Sequence, residues 1–375
     1  MAAALALAGC SLAPLAAGAA AAAEPTLQSA LDQLVSMPGG PPGAIAVIQH
    51  DGQTTVVQAG TGQLGATAPI QASDHLRLAS VSKAFSGAVA LSLVSDGVLH
   101  LSDAVGRWLP WLPSAWEHVT LAELLGHTSG IPDFSGTKAF QTALVADPQT
   151  APAPYQLIEF AVGVCRDDPA RCLSFTPGTA YAYSNSDNVI IGLMVAAATG
   201  QSYEAELQSR VLDPLGLAGT SLPPSSAMPS PFVHGYDGTD DVTSLFAADW
   251  AWSAGGVVAT PTDTLAFIRA YVAGTLVDQA THQAQFSFRA GTSEPPGPGE
   301  NSAGLAVFRY QTSCGTVYGH TGNTAGYTNF AAASADGRDA VVVSVNAQVS
   351  LKVDPVVFAA LRSAEGQAVC QALAG

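Results

Sequence analysis

The chain has 375 residues, 48% of them hydrophobic and only 11% charged, with a formal charge of -16. That composition supplies a large core and carries too little charge for a disordered polypeptide. The 13 Lys and Arg are scattered, so no basic stripe is available to neutralise phosphates, and nucleic acid is excluded as an expected partner.

Residues 1–23 are nearly all Ala, Leu and Gly, the composition of an export signal rather than of folded structure. Leu7-Ala8-Gly9-Cys10 also fits a lipoprotein cleavage box, so the expected location is secreted or cell-envelope associated. No Lys or Arg precedes Arg77, which leaves such a signal without its usual basic start and puts the start codon in question. A helix is expected over 26–37, followed by strands over 43–49 and 53–59 joined at His50-Asp51-Gly52, an Asp-Gly hairpin signal. Gly60-Thr61-Gly62-Gln63-Leu64-Gly65 matches the dinucleotide fingerprint, but Ala68-Pro69-Ile70 blocks the helix that must follow, so it reads as a glycine-rich loop.

Residues 80–95 are apolar at almost every helical position, with Asp96-Gly97 as a stop; such a helix is buried on most faces. From 100 to about 240 the chain reads as helical segments broken by Pro and Gly. Strands return at 317–320, 328–333 and 340–346, and 353–372 is a terminal helix. The organisation is therefore an α/β part, residues 24–85 and 241–375, interrupted by a mainly helical domain, residues 86–240. Setting Cys10 aside leaves Cys165, Cys172, Cys314 and Cys370, for which three pairings are possible. Nearness favours Cys165 with Cys172, leaving Cys314 for Cys370. No C-x-x-C spacing occurs, and no metal is expected.

The chemistry starts from lysine scarcity: the chain has Lys83, Lys138 and Lys352 alone, and Lys83 follows Ser80 by three residues. On a helix that spacing makes the two neighbours, and a desolvated lysine with a depressed pKa can take the proton of a serine hydroxyl. The same spacing recurs as Ser135-Gly136-Thr137-Lys138, but in a loop-like context that makes Lys138 a surface residue. Two further elements join the first: Tyr183-Ser184-Asn185 and, on a late strand, His320-Thr321-Gly322.

In that order, Ser80-x-x-Lys83, Tyr183-x-Asn185 and His320-Thr321-Gly322 resemble the three active-site motifs of the class C-like β-lactamase and D-alanyl-D-alanine carboxypeptidase family. Leu124-Leu125-Gly126-His127-Thr128-Ser129-Gly130 and Trp252-Ser253-Ala254-Gly255-Gly256 support the likeness, which spans about residues 28–370. The resemblance implies an α+β, β-lactamase/transpeptidase-like fold: an antiparallel sheet flanked by helices, an inserted mainly helical domain, and a site in the cleft between them. It implies that Ser80 attacks the carbonyl, that Lys83 holds charge or shuttles a proton, and that Tyr183 acts as general base and then protonates the leaving group. Asn185, His320, Thr321 and Gly322 would bind substrate, and the backbone N–H groups of Ser80 and Asn323 would form the oxyanion hole. His127 is assigned to structure, in a buried turn.

Many relatives carry Lys-Thr-Gly where this chain has His320-Thr321-Gly322. An ordinary histidine is mostly neutral at pH 7 and attracts a substrate carboxylate weakly. Arg309, on a strand expected over 304–310, either clamps that carboxylate or, if alternation turns Phe308 inward, faces water. The resemblance points to a D-Ala-D-Ala carboxypeptidase acting on peptidoglycan stem peptides or another small acyl substrate, monomeric, without a cofactor and inhibited by β-lactams. An esterase, a β-lactamase or a non-hydrolytic penicillin-binding protein would share the scaffold. No G-x-S-x-G elbow is present, which argues against an α/β-hydrolase.

Overall fold

The structure, a computed structural model, describes residues 26–289 and 295–374. The expected export segment and Cys10 lie outside the described residues. Helix α1 (Leu27–Ser36) opens at Thr26, whose hydroxyl accepts from the Ser29 N–H, and it buries Leu27, Leu31 and Leu34 along one stripe. Strands β1 (Gly43–His50) and β2 (Gln53–Gly60) then pair antiparallel. Their turn holds Asp51 at φ 47° and Gly52 at φ 76°, the left-handed pair that a two-residue hairpin needs.

This hairpin is completed from the far end of the chain. Strands β3 (Glu300–Ala303), β4 (Phe308–Thr312), β5 (Gly315–Thr324), β6 (Tyr327–Ala333) and β7 (Ala340–Val345) join it in a seven-stranded sheet of order β2-β1-β7-β6-β5-β4-β3. Every pairing is antiparallel, with β1 joined to β7 in the register Ala44 to Val345. Helices α1 and α5 (Pro355–Leu373) pack together on one face, and α4 (Pro261–Val272) covers the other. Central β7 is thus buried at every position and reads Ala-Val-Val-Val-Ser-Val, whereas edge strand β2 exposes Gln53, Thr54 and Thr55. The Cys314–Cys370 disulfide ties α5 to the start of β5, and Cys165–Cys172 closes a short loop, both as expected.

The middle of the chain is mainly short helices built around two buried ones, α2 (Ser82–Ser95) and α3 (Asn185–Thr199), which pack against each other. Helix α2 stops where expected, with Gly97 at φ 70°. It does not begin at Ser80: Ala79–Val81 form a 3-10 turn that runs into the helix, with Ala79 held at φ 49°. A patch of three short strands, Leu76–Arg77 with Val258–Ala259 with Thr220–Ser221, brings the return of the chain beside that turn.

Two strand expectations need correction. Residues 304–307 are a turn, with Ala306 at φ 54°, and β4 starts only at Phe308. Strand β5 is ten residues long and carries 320–324 as well as 317–320. Among the described residues no helix is long and apolar enough to cross a membrane.

Candidate active site

The positive φ at Ala79 costs a non-glycine residue on the order of 1 kcal/mol, and it sets the turn that presents the next residue, Ser80. From the first turn of α2, Lys83 reaches back so that its Nζ donates to Ser80 Oγ at 3.1 Å, Asn185 Oδ1 at 2.7 Å and the Ala254 carbonyl at 2.7 Å. Three acceptors around one ammonium satisfy all of its hydrogens. Burial nevertheless dominates, pulling the Lys83 pKa down to about 7 against the pull of Asp133 and Asp187.

Tyr183 enters from the strand-like stretch before α3. Its ring lies 4.9 Å from Lys83 Nζ and 4.5 Å from the His127 ring, and its hydroxyl is buried with no well-aligned hydrogen bond. Burial pushes this phenol well above its ordinary value, and the nearby Ser80 hydroxyl offsets only part of that. Behind it, His127 Nδ1 sits 3.0 Å from Asp187 Oδ2, and Ser129 donates to Asp187 Oδ1 at 2.6 Å. Burial, reinforced by Lys83, drops His127 to about pKa 3, while burial raises Asp187 well above the carboxylate range. His127 is therefore a neutral prop for the tyrosine ring, and Asp187 completes a buried polar floor.

Asn185 heads α3 among three partners: Lys83 on its oxygen, and on its Nδ2 the Asp133 carboxylate at 3.0 Å and Ser135 Oγ at 3.0 Å. Ser135 thus lies in the site although Lys138 of the same S-x-x-K spacing is exposed at the start of the next helix.

The opposite wall is β5. Its pairing with β4 ends at Gly319, and the strand runs on past that point into the cleft. Thr321, Gly322, Asn323 and Thr324 line the cleft there. Gly322 permits the close approach: a Cβ would stand 2.1 Å from the Leu78 carbonyl oxygen, in the segment that leads to Ser80. His320 departs from its expected place at the substrate. It is fully buried, its Nδ1 donates to the Thr321 carbonyl, and its ring does not line the cleft. Burial holds it near pKa 3, so it brings no charge. Arg309 turns away as well, donating to Ser302 Oγ at 3.1 Å and stacking over Phe288.

The cleft has a volume of about 870 Å³, with Ser80, Tyr183 and Asn185 on its lining. Its helical wall is aromatic, with Phe134, Phe140, Phe246 and Trp250. Sequence reasoning missed this wall, together with Asp133, Ser135, Asp187 and the Ala254 carbonyl. Ser135 and Ala254 stood in stretches already singled out but without a role, and Asp187 left a signal as an acid two residues past Asn185 at the head of a largely apolar helix.

An antiparallel sheet edge, a buried lysine touching a serine at the head of a buried helix, and a phenol over both form the shared geometry of the site. Residues 28–365 match the family model described as Beta-lactamase, and the chain belongs to that family. It is 29% identical over 338 residues to a D-aminopeptidase from Cereibacter sphaeroides, covering 86% of this chain but 60% of that protein's length. It is 22% identical over 308 residues to penicillin-binding protein 4* of Bacillus subtilis, covering 78% and 65% of the two chains. A D-stereospecific amidohydrolase from Streptomyces superposes with a TM-score of 0.75 at 27% identity, covering 89% of this chain and 96% of that one.

Proposed function

We propose that this chain cleaves an acyl bond through a Ser80 acyl-enzyme, and that its substrate is a small peptide ending in D-alanyl-D-alanine, as in peptidoglycan stem peptides. The observation that carries the reading is the convergence of Ser80, Lys83 and Tyr183, with Lys83 Nζ 3.1 Å from the serine oxygen. Lys83, with a pKa near 7, is half deprotonated at neutrality and is the group suited to accept the serine proton. Tyr183 is too hard to ionise in its buried site to serve as a free phenolate. As a neutral phenol it relays that proton to the departing nitrogen.

In acylation the Ser80 Oγ–C bond forms, the C–N bond breaks, and the serine proton leaves on the amine. Water then cleaves the ester and returns the hydroxyl. The backbone N–H groups of Ser80 and Asn323 would hold the oxyanion, each donor worth about 10² to 10³ in rate.

A second reading, a D-aminopeptidase or D-amino acid amidase, is favoured by the names of the relatives, D-aminopeptidase and D-stereospecific amidohydrolase. Penicillin treatment followed by mass spectrometry tests the shared machinery: the adduct is expected on Ser80 and absent from Ser80→Ala. Release of D-Ala from an acyl-D-Ala-D-Ala peptide, compared with release of ammonia from a D-amino acid amide, separates the two readings. Ammonia release without D-Ala release would reject the peptidase.

A further inference from the structure

The aromatic wall of the cleft is held from the same segment that presents the nucleophile. Arg77 stands three residues before Ser80 on the short strand Leu76–Arg77 and is 4% exposed. Its backbone carbonyl accepts from Asn329 Nδ2 of β6 at 2.9 Å, which fixes the residue to the sheet. Its guanidinium reaches the other way, into the loop that leads to Phe246 and Trp250. There Nη2 donates to the Ser226 carbonyl at 2.8 Å and to the Thr243 carbonyl at 3.1 Å, and Nε donates to the Thr243 carbonyl at 3.3 Å. The guanidinium carbon lies 5.7 Å from the centre of the Phe246 ring, which lines the cleft. Among the described residues no carboxylate pairs with this cation. Burying a charge without a counter-charge is costly, and an apolar side chain would fill the same space at less cost. What the arginine adds is a rigid fork that fixes two carbonyls and the ring three residues beyond the second of them.

We propose that Arg77 is a positioning residue: it sets the distance from the Phe246 side of the cleft to Ser80, and so selects substrates whose acyl group carries an aromatic or bulky apolar side chain. The inference rests on the Ser80 acyl-enzyme reading and deepens it by naming the class of acyl group. Gln149 holds the same loop from outside, donating to the Ser244 carbonyl at 2.8 Å and the Leu245 carbonyl at 3.2 Å, but it is exposed and water competes for those bonds. The buried fork is the contact that ties the loop to the strand running into Ser80. A wall displaced by about 1 Å loses much of its dispersion contact with a bound ring, whereas a small acyl group has little surface to lose there.

The test compares nitrophenyl phenylacetate with nitrophenyl acetate, as a ratio of kcat/KM within each protein sample, so that the leaving group and the fraction of active enzyme cancel. Wild type is expected to favour the phenylacetyl ester by about tenfold or more. Arg77→Met leaves two carbonyls without their donor and frees the loop, and the ratio should fall by about fivefold or more; Arg77→Lys, which keeps a donor, should retain part of it. Phe246→Ala should lower the ratio by itself, and in that background a change at Arg77 should lower it no further, because Arg77 acts through that ring. A wild-type ratio near one, a ratio unchanged in both Arg77 variants or in Phe246→Ala, or losses that multiply when the two sites are combined overturns the inference, while a penicillin adduct on Ser80 leaves the acyl-enzyme reading standing. Should Arg77→Met not fold, Arg77→Lys with and without Phe246→Ala decides by the same criteria. Absence of the adduct from wild type would overturn both.

Discussion

Replacing Asp133 by asparagine tests the charge state on which the proposed acylation depends. The Asp133 carboxylate acts on Lys83 across the Asn185 side chain, which accepts from the lysine at 2.7 Å and donates to the carboxylate at 3.0 Å. Those two hydrogen bonds across one amide separate the charges by roughly 7 Å, worth about 2 kcal/mol at an effective dielectric of about 20. Asp133 is only half buried, so solvent screening brings the effect closer to one pKa unit. The sign follows from the pair: a carboxylate favours the ammonium, so removing it lets Lys83 lose its proton at lower pH. From about 7 in the wild type, the Lys83 pKa should fall to about 6. The acidic limb of kcat/KM for a nitrophenyl ester, followed from about pH 5 to pH 9, should move down by the same interval. At pH 6 the neutral lysine fraction rises from about a tenth to a half, so the variant should gain about fivefold relative to its own plateau. A uniform loss of rate would reflect only the weaker grip on Asn185 and would leave the midpoint in place. A midpoint that stays near 7 or rises would refute the assignment of Lys83 as the titrating base.

Two further outcomes follow from the fold. Gly322→Ala, whose Cβ would meet the Leu78 carbonyl oxygen at 2.1 Å, should push β5 off the turn before Ser80 and cost about a hundredfold in kcat with an unchanged far-UV circular dichroism spectrum; wild-type kcat would contradict that contact. Breaking Cys314–Cys370, which spans 56 residues, should lower stability by about 4 kcal/mol in a denaturant titration, against about 2 to 3 kcal/mol for Cys165–Cys172, which spans 7; equal losses would contradict the loop-entropy account.

Much of this architecture was legible in local patterns. The Asp51-Gly52 turn, the buried helix that stops before Gly97, the apolar run of β7 and the order of the three motifs are each written in consecutive residues, because turn chemistry and side-chain periodicity act over a few positions. The cysteine pairs were also readable, from spacing and elimination. The edge of the sheet was not: β3 and β4 are short, and Gly304 to Val307 carry the apolar character of a strand while folding as a turn that presents Ala306 to α2.

What the amino-acid order determined by itself is the set of reacting groups: a serine and lysine one helical turn apart, a tyrosine, an asparagine and a strand with a glycine where bulk cannot go. What only the tertiary structure decided is their state. Burial lowers Lys83 to about 7, keeps His320 uncharged and hidden, and raises the Tyr183 phenol, and none of these follows from residue type, because desolvation depends on what the rest of the chain packs around each group.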